Sequence, residues 1–93
     1  MAEIDLKSRV VKFIRSLPVK HQRQVKKHIL QVADNHMPHD SKKLVGYAGY
    51  YRTDCGEYRI IYRPDPACTL VTVVLVGKRN DSEVYRIAKR VLK

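Results

Sequence analysis

The fold is decided by residues 69–86, which read TLVTVVLVGKRNDSEVYR. Threonine, valine and leucine alone make up the first eight residues, a composition typical of a central strand that is apolar on both faces. Asn80 and Glu83 have the spacing of a capping box, so a helix is predicted after this strand. The apolar residues of this last helix recur at helical spacing and are Val84, Ile87, Ala88 and Val91. Lys78 and Arg79 therefore lie between a strand end and a helix start.

A second strand signal lies upstream, where tyrosine, isoleucine and arginine dominate residues 50–63. Residues 50–53 and 57–63 are predicted to be two strands joined by the turn Asp54-Cys55-Gly56. Side chains alternate along the second strand, so one face carries the cations and the other meets the helices. The residues on these two faces are Arg59, Ile61 and Arg63, and Tyr58, Ile60 and Tyr62, respectively.

The predicted register of this hairpin pairs Thr53 with Tyr58 and places Arg52 directly opposite Arg59. Like charges that face each other directly destabilise a sheet, unless their face is open and solvated. A phosphate between the two arginines would convert this repulsion into binding. The alternative is that these arginines are merely solvated, and for Arg63 this alternative is favoured.

Two helices are predicted before the sheet. Their apolar stripes comprise Leu6, Val10, Phe13, Ile14 and Leu17 in the first, and Val25, Ile29, Val32 and Ala33 in the second. Pro18 is expected to end the first helix, and the second fades near Asp34. Residues 1–5 give only a weak strand signal. Two helices joined by a turn need a sheet to cover their apolar side, so residues 1–93 are predicted to form a single α+β domain.

The charge balance points to a polyanionic partner. Lysine and arginine number 19 against 9 acidic residues, a net charge of +10 on 93 residues. Such an excess attracts polyanions, of which RNA fits best because arginines and tyrosines lie together on strands. A solvated basic surface is the alternative, and anionic lipid is disfavoured because no helix joins a strong apolar face to an all-basic one. No apolar run approaches the ~20 residues of a membrane span, and no signal peptide is evident, so the protein is predicted to be cytoplasmic.

Cysteines and histidines give no sign of a metal or cofactor site. Cys55 and Cys68 are too few for a disulfide framework and are predicted to be free thiols at strand ends, with a bridge between them as the alternative. Four histidines lie in the first half: His21, His28, His36 and His39. The spacing His36-x-x-His39 is that of a ligand pair, but no third ligand stands close in sequence. The prediction is therefore no metal and no cofactor.

Arginine and tyrosine can together support RNA cleavage. The RNA 2′-hydroxyl attacks its own phosphate when a group accepts its proton, cations stabilise the added charge and a donor protonates the leaving 5′-oxygen. Lys78 or Arg79 is expected beside the hairpin arginines, since the central strand ends there. Tyr85 has two interpretations, because a tyrosine in an amphipathic helix is often a core residue, whereas beside a basic cluster it can stack on a base or assist proton transfer.

Three segments resemble the RelE/ParE superfamily of toxins from bacterial toxin–antitoxin pairs, and its RelE branch in particular. These segments are Lys43-Leu44, residues 56–62 (GEYRIIY) and residues 76–85. The resemblance covers the chain from about residue 5 to the end. It implies an antiparallel sheet of three to four strands, with an N-terminal αα-hairpin on one face and a short C-terminal helix. It also implies a ribonuclease that needs no metal and cuts messenger RNA in the ribosomal A site, leaving a 2′,3′-cyclic phosphate. A RelB-like antitoxin would bind and block it.

The resemblance assigns roles to individual residues. Its catalytic positions fall on Arg52, Arg59, Arg79 and Tyr85. In the family, residues at these positions bind phosphate, stabilise charge or protonate the leaving group, and stack on a base or orient the 2′-hydroxyl. The residues predicted to bind RNA around them are Lys43, Lys78 and Arg86.

The chain departs from the family at two places. Many relatives carry a second basic residue where this chain has Asp54, and the N-terminal strand looks truncated because helical periodicity begins by Leu6. A lysine in place of Asp54 is expected to raise cleavage if the aspartate serves only the turn, and to abolish it if the aspartate accepts the 2′-hydroxyl proton. The alternative function is a non-catalytic inhibitor, like the ParE branch that acts on DNA gyrase, or a degenerate toxin surviving as a binding module.

Overall fold

The computed structural model of the protein describes residues 2–34, 41–67, 69–79 and 83–92. The elements in chain order are β1 (Glu3–Leu6), α1 (Ser8–Arg15), α2 (Val19–Asp34), β2 (Lys42–Lys43), β3 (Tyr51–Cys55), β4 (Tyr58–Pro64), β5 (Leu70–Lys78) and α3 (Glu83–Val91). Within the described residues, five strands form one sheet in the order β1-β5-β4-β3-β2. Strand β1 runs parallel to β5, and the other neighbouring strands are antiparallel.

The predicted α+β class is confirmed, and the sheet is larger at its N-terminal edge than the sequence suggested. Residues 3–6 form β1 and pair with residues 70–73 of β5, so the N-terminal strand is present and Leu6 belongs to it instead of to α1. A four-residue parallel edge strand has too few alternating positions to give a clear signal of its own. Its stability comes from pairing with β5 and from Ile4 and Leu6, which pack against the core.

Helices α1 and α2 cover one face of the sheet, as their apolar stripes predicted. Val10 and Ile14 of α1 are buried, together with Val25, Ile29, Val32 and Ala33 of α2. The strand residues of this core include Tyr58, Ile60 and Tyr62, which are the face of β4 predicted to meet the helices. Pro18 lies between the two helices, and its carbonyl accepts the Gln22 N–H at 2.9 Å, so it starts α2.

Helix α3 packs on the opposite face of the sheet. The buried residues of this second core are Leu44, Ile61, Val74, Leu75, Val84, Ala88 and Leu92. A β-bulge shifts the β4–β5 register between Ile61 and Tyr62, so that both Val74 and Leu75 join this core. Gly77 permits the close approach of α3, because a Cβ there would lie 3.2 Å from the Cβ and Cγ2 atoms of Val84. The first turn of α3 is thereby fixed at the end of β5.

The hairpin between β3 and β4 differs from its predicted register by two residues. Cys55 pairs with Tyr58, Asp54 with Arg59, and Arg52 with Ile61. The turn is Gly56-Glu57, with Gly56 at a φ of 57°, so Asp54 and Cys55 belong to β3 instead of to the turn. A shift by two preserves the face of every side chain, so Arg52 and Arg59 still share a face. The residue that directly opposes Arg59 is an acid, and the predicted opposition of two arginines does not occur.

Two histidines connect α2 to the buried side of this hairpin. The His21 Nδ1 atom lies 2.6 Å from the hydroxyl of Tyr58, and the His28 Nε2 atom lies 3.0 Å from the Oγ1 atom of Thr53. Thr53 is completely buried, and burial together with the charge of Glu57 raises the pKa of Tyr58. These contacts hold the hairpin backbone against α2, so the residues on its other face project from a fixed support.

Replacing Gly56 with alanine should destabilise the fold by about 1–2 kcal/mol, because alanine strains a left-handed backbone. The new Cβ would also lie 2.5 Å from the Nε2 atom of Gln24, so that side chain must move. The matched control is Gly46→Ala, where φ is 86° and no atom lies within 4 Å of the new Cβ. Urea denaturation should show a larger loss for Gly56→Ala, and an equal loss would contradict the packing described for Gln24.

Candidate functional site

Three arginines, one aspartate and one tyrosine come together on the α3 side of the sheet, at the turn end of the hairpin. We call this set the arginine cluster; it comprises Arg52, Asp54, Arg59, Arg79 and Tyr85. Three strands and a helix contribute to it: Arg52 and Asp54 lie on β3, Arg59 lies on β4, Arg79 follows β5, and Tyr85 lies in the first turn of α3. All four residues predicted as catalytic are in this cluster.

Arg59 is the central residue of the cluster, because it contacts both Asp54 and Tyr85. Its Nε atom donates to Oδ1 of Asp54 at 2.7 Å, and its Nη2 atom donates to Oδ2 at 3.4 Å. Its Nη1 atom donates a short hydrogen bond to the hydroxyl of Tyr85. Because all three guanidinium nitrogens are engaged and the side chain is only 15% exposed, Arg59 has a single well-defined orientation.

Arg79 lies beside this pair with more freedom. Its backbone N–H donates to the carbonyl of Glu57 at 2.7 Å, which extends the sheet one residue beyond the end of β5. Its Nε atom lies 4.0 Å from Oδ2 of Asp54, and half of its side chain is exposed. The Arg79 guanidinium is therefore anchored at its backbone and open to a ligand at its tip.

Tyr85 belongs to the cluster and not to the core. Its ring lies beneath the guanidinium of Arg59, with 5.6 Å between the Arg59 Cζ atom and the ring centroid, and 38% of the residue is exposed. A guanidinium over a ring face is an attractive cation–π contact. Of the two interpretations open from the sequence, the geometry supports the one in which Tyr85 presents a phenol to solvent beside the cations.

The arginines control the ionisation of Asp54. The hydrogen bond from Arg59 lowers the pKa of the Asp54 carboxyl, partial burial opposes this effect, and the charges of Arg59, Arg79 and Arg52 add to the lowering. The same hydrogen bond raises the pKa of Arg59. At neutral pH the cluster therefore contains one carboxylate and three guanidinium cations. Its net charge is positive and attracts a phosphate.

Two of the three residues predicted to bind RNA, Lys43 and Lys78, lie on the opposite side of the sheet from the arginine cluster. Arg86 is exposed on α3, next to Tyr85. Lys78 is exposed but pairs with Tyr58, and Lys43 pairs with Tyr51, so both are on the side of α1 and α2. Directly paired residues of antiparallel strands share a face, and the lysine that pairs with Arg52 is Lys42. The roles of Lys43, Lys78 and Arg86 in RNA binding stay predictions.

Other sequence features lie outside the cluster. The guanidinium of Arg63 is 5.5 Å from the ring centroid of Tyr50. Cys55 is a buried thiol that donates to the Gln24 carbonyl at 3.5 Å. Cys68, the pair His36 and His39, and the predicted cap Asn80 lie outside the described residues. Within the described ranges, no three histidine, cysteine or acidic side chains are grouped as metal ligands would be, and no helix is long and apolar enough to cross a membrane.

Sequence reasoning missed one member of this surface, Lys42, and misplaced another. It weighed Asp54 as a possible proton acceptor but put it in the turn instead of in β3. A signal for Asp54 was present, because a two-residue turn at Gly56-Glu57 pairs Asp54 with Arg59, a favourable opposition of charges. The choice between a two-residue and a longer turn decided the register. For Lys42, a two-residue edge strand offers no pattern from which the pairing could be read.

Comparisons with known proteins agree with this fold. The family model for the ParE toxin of the type II toxin–antitoxin system parDE matches residues 4–83. The structure of a double mutant of the E. coli toxin RelE in the free state is 31% identical, covers 99% of this chain and 100% of its own, and superposes with a TM-score of 0.77. The P21 crystal form of isolated E. coli RelE is 30% identical, with the same coverage and a TM-score of 0.73.

A third similar structure is the archaeal RelE–RelB complex from Pyrococcus horikoshii OT3, which is 25% identical and has a TM-score of 0.74. It covers 85% of this chain and 96% of the matched chain. No curated protein sequence matches the chain. The fold and the match over residues 4–83 define a toxin of a type II toxin–antitoxin system. The chain belongs to the RelE/ParE superfamily, in its RelE-like branch.

The Asp54 carboxyl should titrate below its usual pKa of 3.8, because Arg59 and its neighbours favour the ionised form. The unfolded chain then binds the proton more readily, so this stabilisation is complete above 3.8 and is lost as the pH falls through the lower, folded-state pKa. Carbon NMR of the Asp54 carboxyl measures this midpoint directly. In Arg59→Ala the midpoint should rise towards 3.8, and a wild-type midpoint at or above that value would contradict the Arg59 contact.

Proposed function

We propose that this toxin is an endoribonuclease that cleaves messenger RNA in the A site of the ribosome, without a metal ion. The observation that carries the proposal is the arginine cluster, in which a RelE-like fold brings Arg52, Arg59, Arg79 and Tyr85 together. These residues come from segments as far apart in sequence as β3 and α3. Three guanidinium groups and one carboxylate give this surface a net positive charge, which favours binding of a phosphodiester.

The proposed reaction is an internal transesterification. The 2′-oxygen attacks the adjacent phosphorus, the bond from phosphorus to the 5′-oxygen breaks, and the products are a 2′,3′-cyclic phosphate and a 5′-hydroxyl. One proton leaves the 2′-hydroxyl and one is delivered to the 5′-oxygen. The phosphorane that forms between these steps carries extra negative charge, and preorganised cations stabilise such charge more than they stabilise the substrate.

The contacts of each residue support the following division of these tasks. Arg79, whose side chain is half exposed, is the cation proposed to contact the scissile phosphate. Arg52 is on the same face of the sheet, and its charge also acts on Asp54. Arg59 is held by Asp54 and holds Tyr85, whose hydroxyl is proposed to orient the 2′-hydroxyl or whose ring stacks on a base. The site thus depends on positioning and charge stabilisation more than on a strong acid or base.

An antitoxin is proposed as the second partner. Several similar structures are RelE–RelB complexes, from E. coli, Pyrococcus horikoshii, Mycobacterium tuberculosis and Methanococcus jannaschii. A RelB-like protein is therefore the expected inhibitor of this toxin. A net charge of +10 favours an antitoxin with acidic segments, because complementary charges speed association.

A second candidate function is inhibition without catalysis, of the gyrase type, or binding by a degenerate toxin. The matching family model is that of the ParE toxin, and Asp54 neutralises part of the charge of the cluster. The experiment that separates the candidates is induction of the protein in bacteria, followed by mapping of messenger RNA 5′ ends. Ribosome-dependent cleavage predicts new ends in frame with codons, whereas a gyrase inhibitor predicts DNA damage and intact messages.

Arg79→Ala should abolish growth arrest and in-frame cleavage, while the variant still folds. Loss of one preorganised charge contact costs about 3 kcal/mol in the transition state, roughly a hundredfold in rate. The measurement is single-turnover cleavage on programmed ribosomes. Arg90→Ala is the matched control, because Arg90 is an exposed cation in the last turn of α3 and its loss changes the net charge equally. Unchanged cleavage by Arg79→Ala would rule out the role proposed for Arg79.

Affinity for ribosomes and RNA should fall steeply with salt. Each phosphate that a lysine or arginine neutralises releases about one counterion, so several contacts give a steep slope of log affinity against log salt. Binding measured from about 50 to 200 mM salt gives this slope. A flat dependence would indicate a target reached through apolar contacts instead of an RNA target.

A further inference from the structure

The Asp54 carboxylate makes specific contacts with Arg59 that the steps proposed above do not use. Asp54 lies on β3 directly across from Arg59, and its two carboxylate oxygens accept from Nε and Nη2 of that arginine at 2.7 and 3.4 Å. Two hydrogen bonds from one edge of a guanidinium to the two oxygens of a carboxylate make a charge-assisted pair with a specific geometry. The third nitrogen of Arg59, Nη1, is thereby turned towards the Tyr85 hydroxyl. The result is a chain of contacts from carboxylate to guanidinium to phenol.

This geometry is poor for a proton acceptor. Both oxygens of Asp54 face Arg59, and Arg79 lies 4.0 Å from one of them. Accepting the 2′-hydroxyl proton would leave a neutral acid beside these arginines, a change that the hydrogen bond from Arg59 and the surrounding charges oppose. The geometry is equally poor for a residue that serves only the turn, because Asp54 is within β3 and the turn is Gly56-Glu57.

We propose that Asp54 is a positioning residue for RNA cleavage, which acts through Arg59 to hold the Tyr85 hydroxyl in place. This inference rests on the proposed ribonuclease function. Asp54 occupies the Nε and Nη2 edge of Arg59, which is the edge a phosphate would otherwise take. The scissile phosphate therefore binds to Arg79 and Arg52, whereas Arg59 positions the Tyr85 hydroxyl.

The proposal reverses the expectation that a lysine at position 54 raises cleavage. Asp54→Lys would put an ammonium directly opposite Arg59 in the sheet, where like charges repel. Arg59 would lose both contacts along that edge, and the Tyr85 hydroxyl would lose its fixed donor. Adding positive charge to the site should strengthen RNA binding, yet the rate of the chemical step should fall. Binding and catalysis therefore change in opposite directions.

The test uses Asp54→Ala and Asp54→Asn, with Asp54→Glu as the conservative variant and Asp5→Asn as the charge-matched control. Asp5 is exposed on β1, with β5 and β4 between it and β3, and its removal changes the net charge by the same unit. Cleavage of programmed ribosomes at saturating toxin gives the rate of the chemical step. The concentration for half-maximal rate gives binding. Thermal melting checks that each variant folds.

The expected result is that Asp54→Ala lowers the saturated rate by about tenfold to a hundredfold, because a misplaced catalytic group costs that much. The half-saturating concentration should stay equal or decrease. Asp54→Glu should recover part of the rate, and Asp5→Asn should match wild type. A rate equal to or above wild type in Asp54→Ala or Asp54→Asn, whichever folds, would overturn the proposal, as would a loss explained by weaker binding alone.

A double-mutant cycle with Tyr85→Phe tests the connection through Arg59. If Asp54 acts on Tyr85, removing Asp54 from a chain that already lacks the Tyr85 hydroxyl should cost about twofold or less, so the two effects are not additive. If the rate of the double mutant instead falls by the product of the two single-mutant factors, Asp54 and Tyr85 act independently and the connection is overturned. If wild-type protein fails to cut messenger RNA on ribosomes, the proposed function fails and this inference fails with it. If the wild-type protein cuts messenger RNA and the Asp54 variants cut it at the same rate, the inference is overturned and the proposed function stands.

Discussion

The structure depends on β5 being buried on both faces. Its five buried residues are Val71, Val73, Val74, Leu75 and Val76, and they divide between the two cores. Each such side chain removed from water contributes about 2 kcal/mol, and these five contribute to both cores. Because β5 has β1 on one side, β4 on the other and helices on both faces, it directly positions these two strands and the three helices.

The functional surface follows from what happens at the end of this strand. The chain leaves β5 at Arg79, whose backbone continues the pairing with the hairpin, and α3 then returns over Gly77. These two constraints bring Arg79 and Tyr85 beside the hairpin residues Asp54 and Arg59. The histidine contacts from α2 support the same hairpin from behind, through Thr53 and Tyr58. A site with several exposed arginines needs such support, because their mutual repulsion would otherwise disperse them.

The positive charge of the site is partly balanced by a carboxylate within it. Three arginines surround one carboxylate, so the site retains a net positive charge and one arginine is held rigidly. A fully basic cluster would bind phosphate more strongly but would leave each guanidinium free to move. The acid at position 54 orders Arg59 and Tyr85 and removes one unit of positive charge, a compromise that suits the proposed catalysis by positioning.

Local patterns in the sequence predicted the α+β class, the apolar stripes of α1 and α2 and the central strand. With the family resemblance they also singled out Arg52, Arg59, Arg79 and Tyr85, which the structure brings together and whose catalytic roles stay predictions. The partner of each residue depends on contacts between distant segments, and no local pattern predicted it. The register of the hairpin differed by two residues, β1 became visible only through its pairing with β5, and Lys42, not Lys43, proved to face Arg52. The physical reason is that local pattern specifies which face a side chain is on, whereas the residue opposite it depends on turn length and on packing between distant segments.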